Sequence, residues 1–173
     1  GYVDTTGINP HNIEKAKALL AEAGVKLPLK LTMTLPPAPY ARQGGEIIAA
    51  QLAKVGIEVK LQNVEWAQWL SGTYGNKQYE LTMISHVEPF DLGNFAKPEY
   101  YWAYDSKPFQ ALFEKIKNTP KPTDRARLLG DAQRMLANDA VHAFLYQPQW
   151  VTIANKNLRG LWKDMPIFVN DLS

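Results

Sequence analysis

The sequence predicts an α/β domain with a largely parallel sheet and helices on both of its faces. Three observations predict it. Apolar residues switch between period 2 and helical spacing several times along the first half of the chain. Gly or Pro stands at most of the switches. The resulting order is α-β-α-β-α-β, a long loop, then α-α-β-β and a tail. Strand–helix–strand crossovers of this kind lay parallel strands side by side with the helix packed on the sheet.

Residues 1–11, with Asn9-Pro10 near their end, read as a linker. Asn12 is a good helix N-cap, and Ala16, Leu19, Leu20 and Ala23 follow at helical spacing up to Gly24, placed as a C′ glycine. Leu29, Leu31, Met33 and Leu35 alternate with Lys30, Thr32 and Thr34, a strand with one face more buried than the other, ended by Pro36-Pro37. A second helix is expected from about Tyr40 to Val55, with Ile48, Leu52 and Val55 as its apolar stripe and Gly56 as its stop. Ile57 to Val64 reads as the second strand. Glu65 to Tyr74 reads as a short helix carrying Trp66, Trp69 and Leu70, and Gly75-Asn76 turns into a third strand over Tyr79 to Ser85. No period holds from His86 to Asp105. A structureless loop of about twenty residues is uncommon in a compact domain and is usually functional or mobile. Phe109, Leu112, Phe113 and Ile116 then mark a helix broken at Pro120-Lys121-Pro122. Thr123 is expected to cap another, with Leu128, Leu129, Ala132, Met135 and Leu136 inward. Ala143 to Tyr146 and Trp150 to Ala154 read as strands, and residues 156–173, with Trp162, Pro166 and Phe168, as a C-terminal tail.

The chain has 173 residues, 46% of them hydrophobic and 21% charged, values that fit one globular domain with a core and exclude a disordered chain. Net charge is +2 with the signs mixed, so nucleic acid is not an expected partner. There is no cysteine, which excludes disulfides, thiolate metal sites and cysteine nucleophiles. No apolar run approaches the roughly 18 residues of a membrane span. Gly1-Tyr2-Val3-Asp4 does not open a signal peptide, so the signal of an exported protein is expected outside this chain.

In open parallel sheets ligands bind beyond the C-terminal strand ends. That rule singles out Leu35-Pro36-Pro37, Val64-Glu65-Trp66 and Ser85-His86-Val87-Glu88. His86, Glu88 and Asp91 form H-x-E-x-x-D, three residue types able to ligate a metal. The spacing fits no standard motif and soft ligands are lacking, so neither metal nor cofactor is expected. His86 then reads as a hydrogen-bonding cleft residue or a pH-sensitive loop contact. Tyr100, Tyr101, Trp102 and Tyr104 cluster as a stacking wall for a ligand, with Tyr101 as its candidate contact, or as a lid over the core. Arg42 near a helix start can face an anion or solvent. His11 and His142 have no partners in sequence and read as structural or surface residues.

Several segments resemble family 5 of the bacterial extracellular solute-binding proteins, the oligopeptide, dipeptide and nickel type of ABC transporter receptor. Asn12-Ile13-Glu14-Lys15-Ala16-Lys17-Ala18-Leu19-Leu20-Ala21-Glu22-Ala23-Gly24 resembles its D-P-E-K-A-K-x-L-L-x-E-A-G segment. Gln51 to Val59 resembles Q-L-x-x-I-G-I-x-V, Val64-Glu65-Trp66 resembles x-x-W, and Tyr79-Glu80-Leu81 resembles F-D-L. Asn94-Phe95 resembles the end of D-N-F, Tyr104 to Phe109 resembles Y-x-N-P-x-F, and Arg127 to Asp139 resembles R-x-x-L-Y-x-x-A-Q-x-I-L-x-x-D. The matches keep the family order from Asn12 to about Ala154.

The resemblance implies a periplasmic-binding-protein-like lobe: residues 1–173 as the second, C-terminal lobe of a two-lobed clamp, with the N-terminal lobe, the signal segment and one hinge strand outside this chain. It implies a small-molecule or peptide ligand, an ABC transporter membrane permease as partner, a periplasmic or cell-surface location, and no enzymatic activity. An acidic residue after the third strand pairs with the ligand's amino group in peptide-binding relatives, and counting back from Asn94-Phe95 puts Glu88 there. A carboxylate beyond a strand end, screened by Pro89 and Phe90, can hold an ammonium by a charge-assisted hydrogen bond; the alternative is a solvated loop residue. Trp66 falls where the family places an aromatic lining the cleft, the alternative being a core tryptophan, the role assigned to Trp69. Ser85-His86 stand where peptide binders often have Gly-Trp, and Thr82 where some carry a strand Arg, so peptide specificity does not transfer directly.

The rival reading is an α/β hydrolytic enzyme domain in which Glu65, Glu88 and Asp91 supply an acid pair. The chain has no G-x-S-x-G, G-x-G-x-x-G or G-x-x-x-x-G-K-[ST]. A third reading is an interaction module whose open cleft wall forms an apolar patch.

Overall fold

The computed structural model describes residues 2–86, 88, 91–148 and 151–161. Its elements are α1 (Ile13–Glu22), β1 (Leu29–Leu35), α2 (Pro39–Ala53), β2 (Ile57–Asn63), α3 (Trp66–Gln68) continued by π-helical turns over Trp69–Gly75, β3 (Leu81–Thr82), a 3-10 helix over Asp91–Ala96, α4 (Lys107–Lys117) and α5 (Pro122–Asn138). The strands form one parallel sheet in the order β2-β1-β3. β1 and β2 pair in register from Leu29↔Ile57 to Leu35↔Asn63, while β3 joins only through Met33↔Leu81 and Thr34↔Thr82.

Local chemistry explains the boundaries. The Asn12 side chain accepts from Lys15 N–H at 2.8 Å and starts α1. Gly24 and Gly56 close α1 and α2 at φ +68 and +86, the left-handed region glycine enters without strain. Pro stands in the first turn of α2, α4 and α5, where its missing N–H costs nothing. α5 therefore begins at Pro122, and the cap expected at Thr123 is not used: Lys121 holds the cap position without a side-chain bond.

Two apolar clusters hold the described residues together. On one sheet face Met33 and Leu35 pack with Ala38, Ala41 and Met83 beneath α2. Gly44 and Gly45 are what let α2 come so close, since a Cβ would meet Met83 Cε or Leu35 Cδ1 at 2.6 Å. On the other face the π-helical turns bury Trp69 and Thr73 beside Thr34, so helical structure covers both faces as expected. The second cluster joins Phe95 to Phe109 and Ile116 of α4 and Leu128, Ala132 and Leu136 of α5. A chain of ring contacts, Trp69 to Tyr101 at 5.9 Å and Tyr101 to Trp102 at 5.0 Å, links the sheet side to the helical side.

Several expectations are corrected. The third strand, expected over Tyr79 to Ser85, is only Leu81–Thr82. Beyond Thr82 the backbone leaves β1, and Ser85 N–H donates to the Tyr40 hydroxyl at 3.0 Å instead of to a strand neighbour. The irregular loop after His86 contains a 3-10 helix, Asp91–Ala96, with Phe95 buried in the second cluster. The strands expected at Ala143–Tyr146 and Trp150–Ala154 do not form among the described residues. Their apolar content is real, but Phe144, Tyr146, Val151 and Ile153 are exposed, and the described residues offer no neighbouring strand to take up their backbone groups. Trp150, Trp162, Pro166 and Phe168 lie outside the described residues. The expected linker is tied down: Val3 N–H donates to Gln133 Oε1 at 3.1 Å and Asn9 Nδ2 to the Ala137 carbonyl at 2.7 Å, both on α5.

Candidate functional site

Three chain segments leave the sheet at its C-terminal edge, and α2 begins there. Tyr40, in the first turn of α2, reaches the β3 side and binds Ser85 N–H. Arg42 reaches the β2 side, where its guanidinium lies 3.6 Å from Glu65, so its anion partner is a protein carboxylate. Glu65 also caps α3: its side chain accepts from the N3 backbone, and the Gln68 side chain returns a bond to Glu65 N–H at 3.2 Å. An open polar crevice lined by Gln62, Asn63, Gln68, Thr73 and Gln78 lies on that side.

On the β3 side the backbone leads through Ser85 to His86 and Glu88. His86 Nδ1 is 2.7 Å from Glu88 Oε2, and His86 Nε2 is 2.7 Å from the Tyr101 hydroxyl. The imidazole lies nearly parallel to the Tyr101 ring and edge-on to Trp102. Tyr101 is 5% exposed and reaches the site through its hydroxyl. Its backbone carbonyl accepts from the Tyr79 hydroxyl at 3.0 Å, which fixes the ring from behind. The aromatic cluster at Tyr100–Tyr104 is thus chiefly a lid over the core, with Phe95 stacked on Trp102 at 4.5 Å.

Electrostatics sort these groups. The hydrogen bond from His86 holds the Glu88 carboxyl below its usual range, so Glu88 is an anion at neutral pH. Burial pushes the Tyr101 hydroxyl up, and it keeps its proton. Glu88 keeps about half of its side-chain surface, 51%, open to solvent. The site can therefore offer a fixed, partly desolvated negative charge beside aromatic surface, a combination suited to a cation or an ammonium group. His86, Glu88 and Asp91 each place one ligand-type atom within 4.8 Å of the others, close enough to share a cation, while both His86 nitrogens already have protein partners.

Of the residues singled out in sequence, Ser85, His86, Glu88 and Tyr101 come together, with Asp91 close by. Trp66 is 44% exposed and meets Trp69 edge-on at 6.1 Å, whereas Trp69 is buried. Pro89 and Phe90 lie outside the described residues. Sequence reasoning missed the parts played by Tyr40 and Tyr79, while His142 is structural, one of the two roles expected for it. His142 is packed on Trp102 at 4.7 Å and Phe95 at 5.0 Å, and its only trace in sequence is its place just beyond the last helix.

Residues 1–110 match the model of the bacterial extracellular solute-binding proteins, family 5 Middle. Among curated proteins, the chain is 27% identical to di/tripeptide-binding protein 4 of Pseudomonas aeruginosa, covering 92% of the chain and 33% of that protein. It is 28% identical to the dipeptide-binding protein of Escherichia coli, covering 86% and 31%. Among solved structures, the periplasmic binding protein DppA of Helicobacter pylori in complex with peptide STSA superposes with a TM-score of 0.62 at 27% identity, over 75% of this chain and 28% of that one. The chain thus spans about a third of the length of these relatives.

Proposed function

The chain belongs to the bacterial extracellular solute-binding proteins, family 5, and from that membership we propose that it is the solute-binding second lobe of an ABC-transporter receptor. This is a transport-binding family rather than an enzyme family, and no sequence motif or geometry favours the hydrolytic reading over it. In the proposed arrangement residues 1–173 form one lobe, with 1–11 leading into it and 156–173 as its tail. A companion N-terminal lobe closes over the ligand, and the loaded receptor docks on a membrane permease outside the cytoplasm. Among the described residues no helix is long and apolar enough to cross a membrane.

The ligand is a peptide-like or other small solute with a free amine. The observation that carries this reading is the ionised, half-open Glu88 carboxylate at the sheet's C-terminal edge, braced by His86. The names of the di/tripeptide- and dipeptide-binding relatives support the same chemical class. Ser85, Asp91 and the exposed face of Trp66 are proposed to line the rest of this wall.

Calorimetry on the full-length protein tests it. Alanyl-alanine should bind, N-acetyl-alanyl-alanine should not, and Glu88→Gln should weaken the free dipeptide by roughly 1.5–3 kcal/mol, the scale of a hydrogen bond to a charged group. Equal affinity for the free and acetylated dipeptides overturns the role given to Glu88.

A further inference from the structure

The Glu88 carboxylate is held by two residues behind it, and the hydrogen positions of that chain follow from chemistry. Tyr101 keeps its proton because its hydroxyl is buried. Its only hydrogen-bond partner among the described residues is His86 Nε2, at 2.7 Å. On the other side of the ring, Nδ1 faces the anionic Glu88 Oε2 at 2.7 Å. A bare Nδ1 lone pair at that distance from a carboxylate is repulsive, so Nδ1 carries a hydrogen. The neutral imidazole that satisfies both contacts has Tyr101 O–H donating to Nε2 and Nδ1–H donating to Glu88. The other permitted state is the imidazolium, which puts a full positive charge against Glu88.

We propose that Tyr101 and His86 are positioning residues for Glu88, and that protonation of His86 switches the site off: neutral, His86 presents an ionised carboxylate to a ligand ammonium; protonated, it takes that carboxylate as its own counter-ion. The proposal rests on the amine-binding reading of Glu88 and adds its regulation.

Few other charges bear on the ring. Asp91 lies within the same 4.8 Å grouping. His142 is near enough to feel His86, but burial, aided by that repulsion, lowers it to about 4, so it is largely uncharged between pH 7 and pH 5. Tyr79 and Tyr100, the phenols around Tyr101, are pushed up and stay neutral. Among the described residues the acidic groups near the ring are Glu88 and Asp91, and of these Glu88 is bonded to it.

Two measurements on the full-length protein test this. The first is the dissociation constant of alanyl-alanine from pH 7 to pH 5, a window in which the peptide's own amine, with a pKa of about 7.7–8.0, stays protonated. The wild type should weaken roughly tenfold as pH falls, the scale of one charge-assisted bond. His86→Asn keeps an N–H near the Nδ1 position but cannot titrate, so its affinity should show no such slope, whatever its absolute value. A flat wild-type profile, or an equal slope in His86→Asn, overturns the switch. The second needs no ligand: nitrogen NMR of histidine-labelled protein, with His86→Asn assigning the signal. The expected neutral form carries its hydrogen on Nδ1; a neutral form with the hydrogen on Nε2 overturns the relay. If the NMR result holds and no dipeptide binds, the relay stands and the switch fails together with the amine-binding reading it rests on.

Discussion

The Trp69 indole N–H donates to Thr82 Oγ1 at 3.0 Å, and the Thr82 hydroxyl passes the bond on to the Thr34 carbonyl at 2.7 Å. Two short hydrogen bonds thus fasten the π-helical turns to the sheet through β3, a strand of two residues. They also anchor the first ring of the aromatic chain that leads through Tyr101 to His86. Thr82→Val removes the hydroxyl at nearly constant shape and leaves a buried indole N–H unsatisfied. It should lower unfolding free energy by about 1–3 kcal/mol, while Thr82→Ser, which keeps the hydroxyl, should cost less. Urea unfolding of both variants checks this; equal stability of the two refutes the bond's importance.

The close approach of α2 to the sheet predicts opposite outcomes at adjacent glycines. Alanine in a helix interior is favoured over glycine by about 1 kcal/mol. At Gly44 the new methyl meets the thioether end of Met83, which can swing aside, so Gly44→Ala should be neutral or stabilising. At Gly45 it meets Leu35, which is fully buried and has nowhere to go. Overpacking of that kind costs about 1–3 kcal/mol and should outweigh the helix gain. Thermal unfolding of the two variants should rank Gly44→Ala above Gly45→Ala; the reverse order shows that Leu35 repacks.

Stability should also fall on mild acidification because of His142. Burial among Phe95, Trp102 and Phe144 depresses it from 6.5 to about 4. The unfolded chain then takes up a proton first as pH drops, so this contribution is complete above about 6.5 and is lost progressively towards 4. Glu88, also depressed, contributes above its ordinary carboxylate value and loses that contribution only at lower pH, as its folded-state value is crossed. The urea midpoint should therefore decline between pH 6.5 and 4. His142→Leu should flatten that interval and leave any steeper loss below it. An unchanged slope in the variant assigns the decline elsewhere.

The parts of the fold legible in sequence are those whose burial is periodic and local. The alternation from Leu29 to Leu35 identifies the central strand, and Ser106-x-Pro108 with Phe109 and Ile116 identifies α4. A strand's length depends on its neighbour, which periodicity does not report. Residues 143–146 are as apolar as a strand should be yet pair with nothing described, and β3 stops at Thr82, one residue before β1 ends, because its backbone turns away towards Tyr40. The π-helical turns are invisible for a similar reason: Asn76 N–H donates five residues back to the Ser71 carbonyl, a longer turn that the 3.6-residue period does not mark. At the site, Ser85, His86 and Glu88 are legible as strand-end polar residues. Their bracing by Tyr101, fifteen positions away, is not, because it depends on Tyr79 and Trp69 turning that ring inward.

The last prediction concerns this chain by itself. Ligand pockets typically bury 70–90% or more of a small ligand's surface. The wall described here offers Glu88, the exposed face of Trp66 and the strand-end polar groups, and half of the Glu88 side chain is open to water. If a companion lobe supplies the opposite wall, a ligand on this wall alone keeps roughly half of its surface solvated. The loss of translational and rotational freedom is nevertheless nearly complete once the ammonium is fixed to one carboxylate. Contacts are halved while that cost is not, so affinity should fall by far more than half on a logarithmic scale. The 173-residue chain should bind alanyl-alanine at roughly millimolar strength or below detection, against much tighter binding by the full-length receptor. Cooperative urea unfolding of the same sample should show that weak binding is not misfolding. Calorimetry on the two proteins with the same dipeptide decides the matter. Equal affinity would show that this wall is a complete site, and the clamp would have to be abandoned.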